Sequence, residues 1–188
     1  MPVKRLRPYP SPEQLHAMYG HAPHDHRLYG RGHDERVEAT IALAKASISV
    51  WDRGVVADLS CGNGEIARRI AGRSTILGDL APGYGIVGPI EETAARVGWV
   101  NVWVLSETLE HVDDPVAVLR EIRPRASRLV LSTPLECWDD ANGEHLWSWD
   151  EEGVTSLLAE AGWTVDATDH VDSREWNEPY WYFIAVCS

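Results

Sequence analysis

Val55-Val56-Ala57-Asp58-Leu59-Ser60-Cys61-Gly62-Asn63-Gly64-Glu65-Ile66-Ala67-Arg68 is the stretch that decides the fold. Val55 to Leu59 is a short apolar run rich in β-branched residues, the pattern of a parallel strand buried on both faces. Gly62 and Gly64 then permit a tight turn and a close approach of backbone to ligand, and Asn63 or Gly64 caps a helix running to about Ile70. The free N–H groups of the first helical turn favour a carboxylate or phosphate. Strand, glycine turn and helix in this order predict an α/β chain with a ligand at the carboxyl end of its sheet.

The flanking residues narrow the ligand. A dinucleotide-binding G-x-G-x-x-G needs a third glycine, and position 67 is alanine. Asp58-Leu59-Ser60-Cys61-Gly62-Asn63-Gly64 instead resembles the Asp-Leu-Gly-Cys-Gly-x-Gly motif of S-adenosylmethionine-dependent methyltransferases with the Rossmann-like fold, with Ser60 in place of the first glycine. The resemblance covers about Val55 to Cys187. It implies a doubly wound, mostly parallel sheet with an antiparallel C-terminal strand, S-adenosyl-L-methionine as cofactor, and Asp58, Ser60, Cys61, Gly62 and Gly64 around it. Ser74 to Asp79 reads as the second strand. It ends in a carboxylate able to accept both ribose hydroxyls, with Leu80 beside it.

Beyond Asp79 the chain departs from the family pattern. Only Leu80-Ala81-Pro82-Gly83 separates it from Tyr84-Gly85-Ile86-Val87-Gly88, too little for a crossover helix. The sheet is therefore abbreviated between its second and fourth strands: either a strand is lost, or Ile86 and Val87 form a short edge piece reached by a Pro-Gly turn. Gly88-Pro89-Ile90-Glu91-Glu92 resembles the adenine-contacting stretch, but Pro89 stands where an aspartate is common. Adenine recognition then falls to backbone near Ile90 or to the Glu91 carboxylate.

Asn101 to Pro115 reads as strand, loop and helix, with Asp114 as N-cap, Pro115 at the first helical position and Pro124 forbidding continuation. Its Ser-Glu-x-Leu-Glu-His-x-x-Asp-Pro pattern is similar to a branch that includes quinone-biosynthesis and sugar enzymes. That placement puts Ser106, Glu107, Glu110 and His111 beside the transferable methyl. His111 is the leading base, because an imidazole titrating near neutrality suits proton removal from a hydroxyl or amine; a scaffolding role for the Glu110-His111 pair is the alternative. His145, Trp147 and Trp149 are expected to flank the same cleft and hold a planar or sugar-like acceptor. Arg128 to Pro134 gives a further strand, Ser148-x-x-Glu151 a capping box for a helix ending at Gly162, and Thr164 to Thr168 with Tyr180 to Cys187 a closing hairpin.

Two other readings stay open. Glu107-x-x-Glu110-His111 with His145 is also similar to the metal-binding set of small-RNA 3′-terminal 2′-O-methyltransferases, although the leading reading carries no metal. A non-catalytic domain that keeps the fold and binds cofactor or a partner is the other.

Residues 1 to 50 form an N-terminal extension ahead of the methyltransferase domain at 51 to 188. Residues 1 to 12 read as extended or frayed, and Val37, Ile41, Ala44 and Ile48 mark a helix from Asp34 to about Val50. Between them His16, His21, His24, His26 and His33 are interleaved with Tyr19 and Tyr29. They lack the spacing of a metal motif and are expected to fold over the pocket as a lid. A net charge of −12 disfavours nucleic acid as a partner and suits a small-molecule acceptor. No apolar run has the length of a membrane span, and the three scattered cysteines build no disulfide framework, so a cytoplasmic protein is expected.

Overall fold

The structure, a computed structural model, describes residues 3–25 and 30–188. In chain order its elements are β1 (Val3–Arg5), α1 (Pro12–Tyr19), α2 (Arg31–Ser47), β2 (Val55–Asp58), α3 (Glu65–Ile70), β3 (Ser74–Asp79), β4 (Ile86–Val87), α4 (Ile90–Thr93), β5 (Val100–Ser106), α5 (Pro115–Ile122), β6 (Ala126–Leu135), β7 (Trp147–Trp149), α6 (Glu151–Glu160), β8 (Val165–Asp172) and β9 (Trp181–Cys187). Seven strands form one sheet in the order β4-β3-β2-β5-β6-β9-β8. The first five pair in parallel, and β9 enters antiparallel between β6 and β8.

Alternation along the central strands explains why helices cover both faces. In β5, Val102 and Val104 join Val56, Val130 and Val186 under Val37, Ile41 and Ala44 of α2, Ile48 just after it, and Ile66 and Ile70 of α3. Trp103 and Leu105 point the other way, with Leu129, Leu131 and Phe183, under α5 and α6 through Val118, Leu119, Ile122, Val154 and Leu158. Each fully buried aliphatic side chain of this kind stabilises the fold by about 1.5–3 kcal/mol before conformational entropy is counted. Asp114 caps α5 as its sequence requires, its side chain accepting from Ala117 N at 3.0 Å, and Pro115 opens the helix.

Ile86 and Val87 do form the short edge strand, pairing with Gly78 and Asp79. The turn through residues 80–85 replaces a crossover helix.

Three local expectations are corrected. The start of the chain is tied down, because β1 pairs antiparallel with β7 and Ser11 caps α1 in a reciprocal box with Gln14. The helix after residue 148 is capped by Asp150, whose side chain accepts from Gly153 N at 2.8 Å; Ser148 lies inside β7. The first strand of the closing hairpin runs to Asp172, beyond Thr168. The extension's main helix begins at Arg31, and the expectations for His26 and Tyr29 lie outside the described residues. Among the described residues no helix is long and apolar enough to cross a membrane.

Candidate active site

A cavity of about 530 Å³ opens at the carboxyl ends of β2, β3 and β5, where an open α/β sheet places its ligands. Ser60, Gly62, Asp79, Leu80 and Glu91 line one part of it, and Ser106, Glu107, His111 and His145 the other. Gly62 has φ +51 and Gly64, the residue before α3, has φ +73; both are left-handed conformations that favour glycine. Gly62 N donates to Asp79 Oδ2 at 2.8 Å and Ala81 N to Asp79 Oδ1 at 2.9 Å. Each carboxylate oxygen keeps a second lone pair for a ligand hydroxyl. Burial raises the Asp79 carboxyl above its usual range against the pull of those N–H groups.

Four candidate residues sit behind the wall. Cys61 and Gly64 shape the turn, and a Cβ on Gly64 would meet Arg68 and Leu77 at 2.9 Å. Asp58 is buried and braces the loop by accepting from Ser60 N at 3.2 Å. Burial pushes its carboxyl up to about 8. The folded state therefore holds a proton that the unfolded chain gives up near its ordinary carboxylate range, so stability falls as pH rises from that range to about 8 and levels off above it. Asp58→Asn is expected to raise the melting temperature at pH 9 and leave it unchanged at pH 4, read by thermal denaturation at the two pH values.

Glu110 is the fourth. It is fully buried, accepts from Thr133 Oγ1 at 3.0 Å, and leaves Oε1 unpartnered and 3.8 Å from His111 Nε2. Burial, with Glu107 nearby, pushes the Glu110 carboxyl up to about 8. Burial and the neighbouring His145 ring pull His111 down to about 3, which makes it a weaker proton acceptor than a free imidazole. Its Nδ1 lies 3.0 Å from the Glu144 carbonyl oxygen, which can only accept, so Nδ1 carries the proton and Nε2 the lone pair.

His145 is oriented by Asp140, whose Oδ2 lies 2.6 Å from Nδ1. Burial works against its charged form, but the Asp140 bond and the surrounding carboxylates outweigh it and raise the group. Trp147 and Trp149 do not line the cavity. The Trp147 indole donates to the Val112 carbonyl at 2.9 Å, and Trp149 is wholly in the core.

Tyr19, His24 and His33 of the segment expected over the pocket line it, and residues that the sequence did not single out complete the wall: Tyr9, Leu15 and Met18 from the N-terminal segment, and Tyr180 and Tyr182 from the loop before β9 and from β9. Tyr19 Oη donates to Glu144 Oε2 at 2.9 Å, and Asn63 Nδ2 to Asp25 Oδ1 at 3.2 Å, joining that segment to both sides of the cleft. The Glu91 carboxylate accepts from Asp113 N at 3.2 Å and engages Tyr9.

Arg36 of α2 is fully buried behind the cavity. Its Nη1 donates to Ser106 Oγ at 2.5 Å and Ser132 Oγ at 2.9 Å, and its Nη2 lies 2.8 Å from His33 Nε2. A guanidinium offers only donors, so His33 accepts there and carries its proton on Nδ1. Arg36 Nε is unpartnered, 4.0 Å from Glu107 Oε1. Burial raises the Glu107 carboxyl, and the Arg36 charge opposes that rise. Glu107 itself has φ +52, a strained conformation for a side-chain-bearing residue at the end of a strand.

No family model matches the chain, and no curated protein does either. Solved structures do. An S-adenosylmethionine-dependent methyltransferase from Leishmania major superposes with a TM-score of 0.68 at 14% identity over 86% of this chain and 75% of that one. The 1,6-didemethyltoxoflavin-N1-methyltransferase of Burkholderia thailandensis, solved with its substrate and S-adenosylhomocysteine, gives 0.64 at 16% identity over 98% and 93%. The (4+2) cyclase SpnF gives 0.69 at 13% identity over 98% of each chain. The chain thus has the Rossmann-like α/β fold of solved S-adenosylmethionine-dependent methyltransferases.

Proposed function

We propose that this chain is an S-adenosylmethionine-dependent methyltransferase acting on a hydroxyl or amine of a small molecule. The observation that carries the reading is one cavity that joins the Gly62 turn and the Asp79 carboxylate to Glu107, His111 and His145. The residues fit the cofactor: Asp79 has lone pairs for two ribose hydroxyls, and Gly62, in a left-handed conformation on the cavity wall, presents backbone without a side chain. When bound, the cofactor supplies an electrophilic methyl group for in-line displacement, a reaction governed by alignment of the nucleophile. His145, held by Asp140, is the residue placed to take a proton from the acceptor. The described part of the N-terminal segment ahead of α2, which includes α1, acts as a lid that excludes water.

Calorimetric titration with S-adenosylmethionine and S-adenosylhomocysteine tests this directly, and binding of neither sinks the reading. Asp79→Ala is expected to weaken both by about 1–3 kcal/mol, roughly 5- to 150-fold, for leaving ribose hydroxyls without their acceptor. An unchanged dissociation constant would make Asp79 a turn residue only.

A second reading is favoured by one observation. Among the described residues, one ligand atom each from Glu110, His111 and His145 lies within 4.8 Å of the others, and Glu110 Oε1 is a buried acceptor without a partner. With both Nδ1 atoms directed at oxygen acceptors, the neutral rings present Nε2 to the cluster, as second-shell partners of metal ligands do. Two imidazoles and a carboxylate suit a divalent transition metal, which would polarise adjacent hydroxyls such as those of an RNA 3′ end. Titration of untagged protein with Mn²⁺ or Zn²⁺ is expected to show one site that Glu110→Gln removes; no metal binding ends this reading.

A further inference from the structure

The acceptor half of the cavity has a composition that selects by shape and charge, and this inference rests on the methyltransferase reading above. On its sheet side, rings touch in series: His33 and Tyr182 have centroids 6.4 Å apart, Tyr182 and Tyr180 5.8 Å, Tyr180 and His145 5.4 Å, and His145 and His111 4.8 Å. Facing them from the N-terminal segment are Tyr19 and His24, 5.7 Å apart, with the Tyr19 hydroxyl 3.5 Å from His111 Nδ1. Two groups of aromatic faces with a cleft between them hold a flat ring by stacking and edge contacts.

Carboxylates dominate the charge that the described residues place around that cleft. Glu107, Glu144 and Glu178 line it, and among the described residues no lysine or arginine does. The nearby cations are committed elsewhere: Arg36 lies behind Tyr182 with its donors on Ser106, Ser132 and His33. Arg7 donates to the backbone carbonyls of His145 and Asp140. Among the described residues, an anionic ligand would meet three glutamates and no lysine or arginine, with His145 already held by Asp140, in a site where solvent screening is poor. A cationic one would gain from both the carboxylates and the ring faces.

We propose that the methyl acceptor is a flat aromatic or heteroaromatic ring bearing no negative charge, neutral or ammonium-substituted, and that phosphorylated and carboxylated metabolites are excluded. The ring is seated between Tyr180 and Tyr182 on one side and Tyr19 on the other, with its hydroxyl or amine toward His145.

Matched probes that differ only in charge test this. Tryptamine, tryptophol and indole-3-acetate share one ring; tyramine, tyrosol and 4-hydroxyphenylacetate share a smaller one. Each is titrated calorimetrically into the protein, with and without saturating S-adenosylhomocysteine. At least one amine and its alcohol are expected to bind, with the matching acid at least tenfold weaker. Tyr180→Ala should weaken amine and alcohol alike by about tenfold, the loss of one stacking face. Glu144→Gln should narrow the gap between amine and acid without weakening the alcohol, a change that a merely structural glutamate would not produce. An acid that binds as well as its amine, or failure of every probe, overturns the proposal. If the amine and alcohol bind while S-adenosylhomocysteine does not, the methyltransferase reading falls and the ring site stands; S-adenosylhomocysteine binding with a preference for the acids has the reverse effect.

Discussion

Gly62→Val is expected to lower affinity for S-adenosylmethionine at least a hundredfold while the protein still folds. Gly62 sits on the cavity wall at φ +51, where valine is strained because its branched Cβ crowds the neighbouring carbonyl. That strain is of order 1–3 kcal/mol, and at about 2–4 °C per kcal/mol for a chain of this size the melting temperature should drop by no more than about 12 °C. The binding loss has two sources. The isopropyl group occupies ligand space, and any shift of the turn also moves Asp79, which accepts from Gly62 N at 2.8 Å, and Tyr84, whose hydroxyl donates to Gly62 O at 2.6 Å. Gly62→Ala should fall between the two, since it keeps the strain and adds only one methyl. Calorimetry and thermal denaturation of both variants decide the matter; wild-type affinity in the valine variant would move the ligand away from the glycine turn.

The glycine turn was legible because its information is local. Strand, turn and helix follow each other within fourteen residues, Val55 to Arg68, and φ above zero at positions 62 and 64 is a property that glycine announces. The strand at Asn101 and the Asp114-Pro115 cap were readable for the same reason. What escaped the sequence depends on distance. β1 has three residues and pairs with β7 more than 140 positions away, a contact that no periodicity marks. Ser148 and Asp150 are both good caps, and only the β1–β7 ribbon decides that Ser148 stays extended.

The site shows the same division. Gly62, Asp79, Glu107 and His111 were placed by motif, and they do share one cavity. The weak basicity of His111 comes from burial and from His145, which lies 34 positions on, so an isolated imidazole gave no sign of it. Tyr180 and Tyr182 were absorbed into the closing strand, and the tryptophans expected at the acceptor are instead in the core or on the far side of the ribbon.

Arg36 shows most clearly what a sequence conceals. No pattern in the sequence singles it out, yet it is completely buried and reaches Ser106 at the end of β5 and Ser132 in β6. Arg36→Ala is expected to destabilise the fold by about 3 kcal/mol, combining a cavity with the loss of three hydrogen bonds at roughly 1 kcal/mol each and partly offset by removal of a desolvated charge. At about 2–4 °C per kcal/mol the melting temperature should fall by about 6–12 °C. Arg36→Met separates packing from charge. It fills much of the same volume without a donor, so it avoids the cavity but still loses the three hydrogen bonds, and its melting temperature should fall by less than that of the alanine variant. Ligand affinity should nevertheless fall in both variants, because Ser106, Glu107, His33 and Tyr182, all on the cavity wall, take their orientation from the guanidinium. Calorimetry with S-adenosylhomocysteine at constant pH measures that loss, and circular dichroism confirms that each variant is folded. Wild-type affinity in a folded Arg36→Met variant would show that the strands alone orient the wall; a loss confined to Arg36→Ala would assign the effect to packing. A loss in both would place the buried cation of α2 within the binding machinery, and with it a helix that otherwise only covers one face of the sheet.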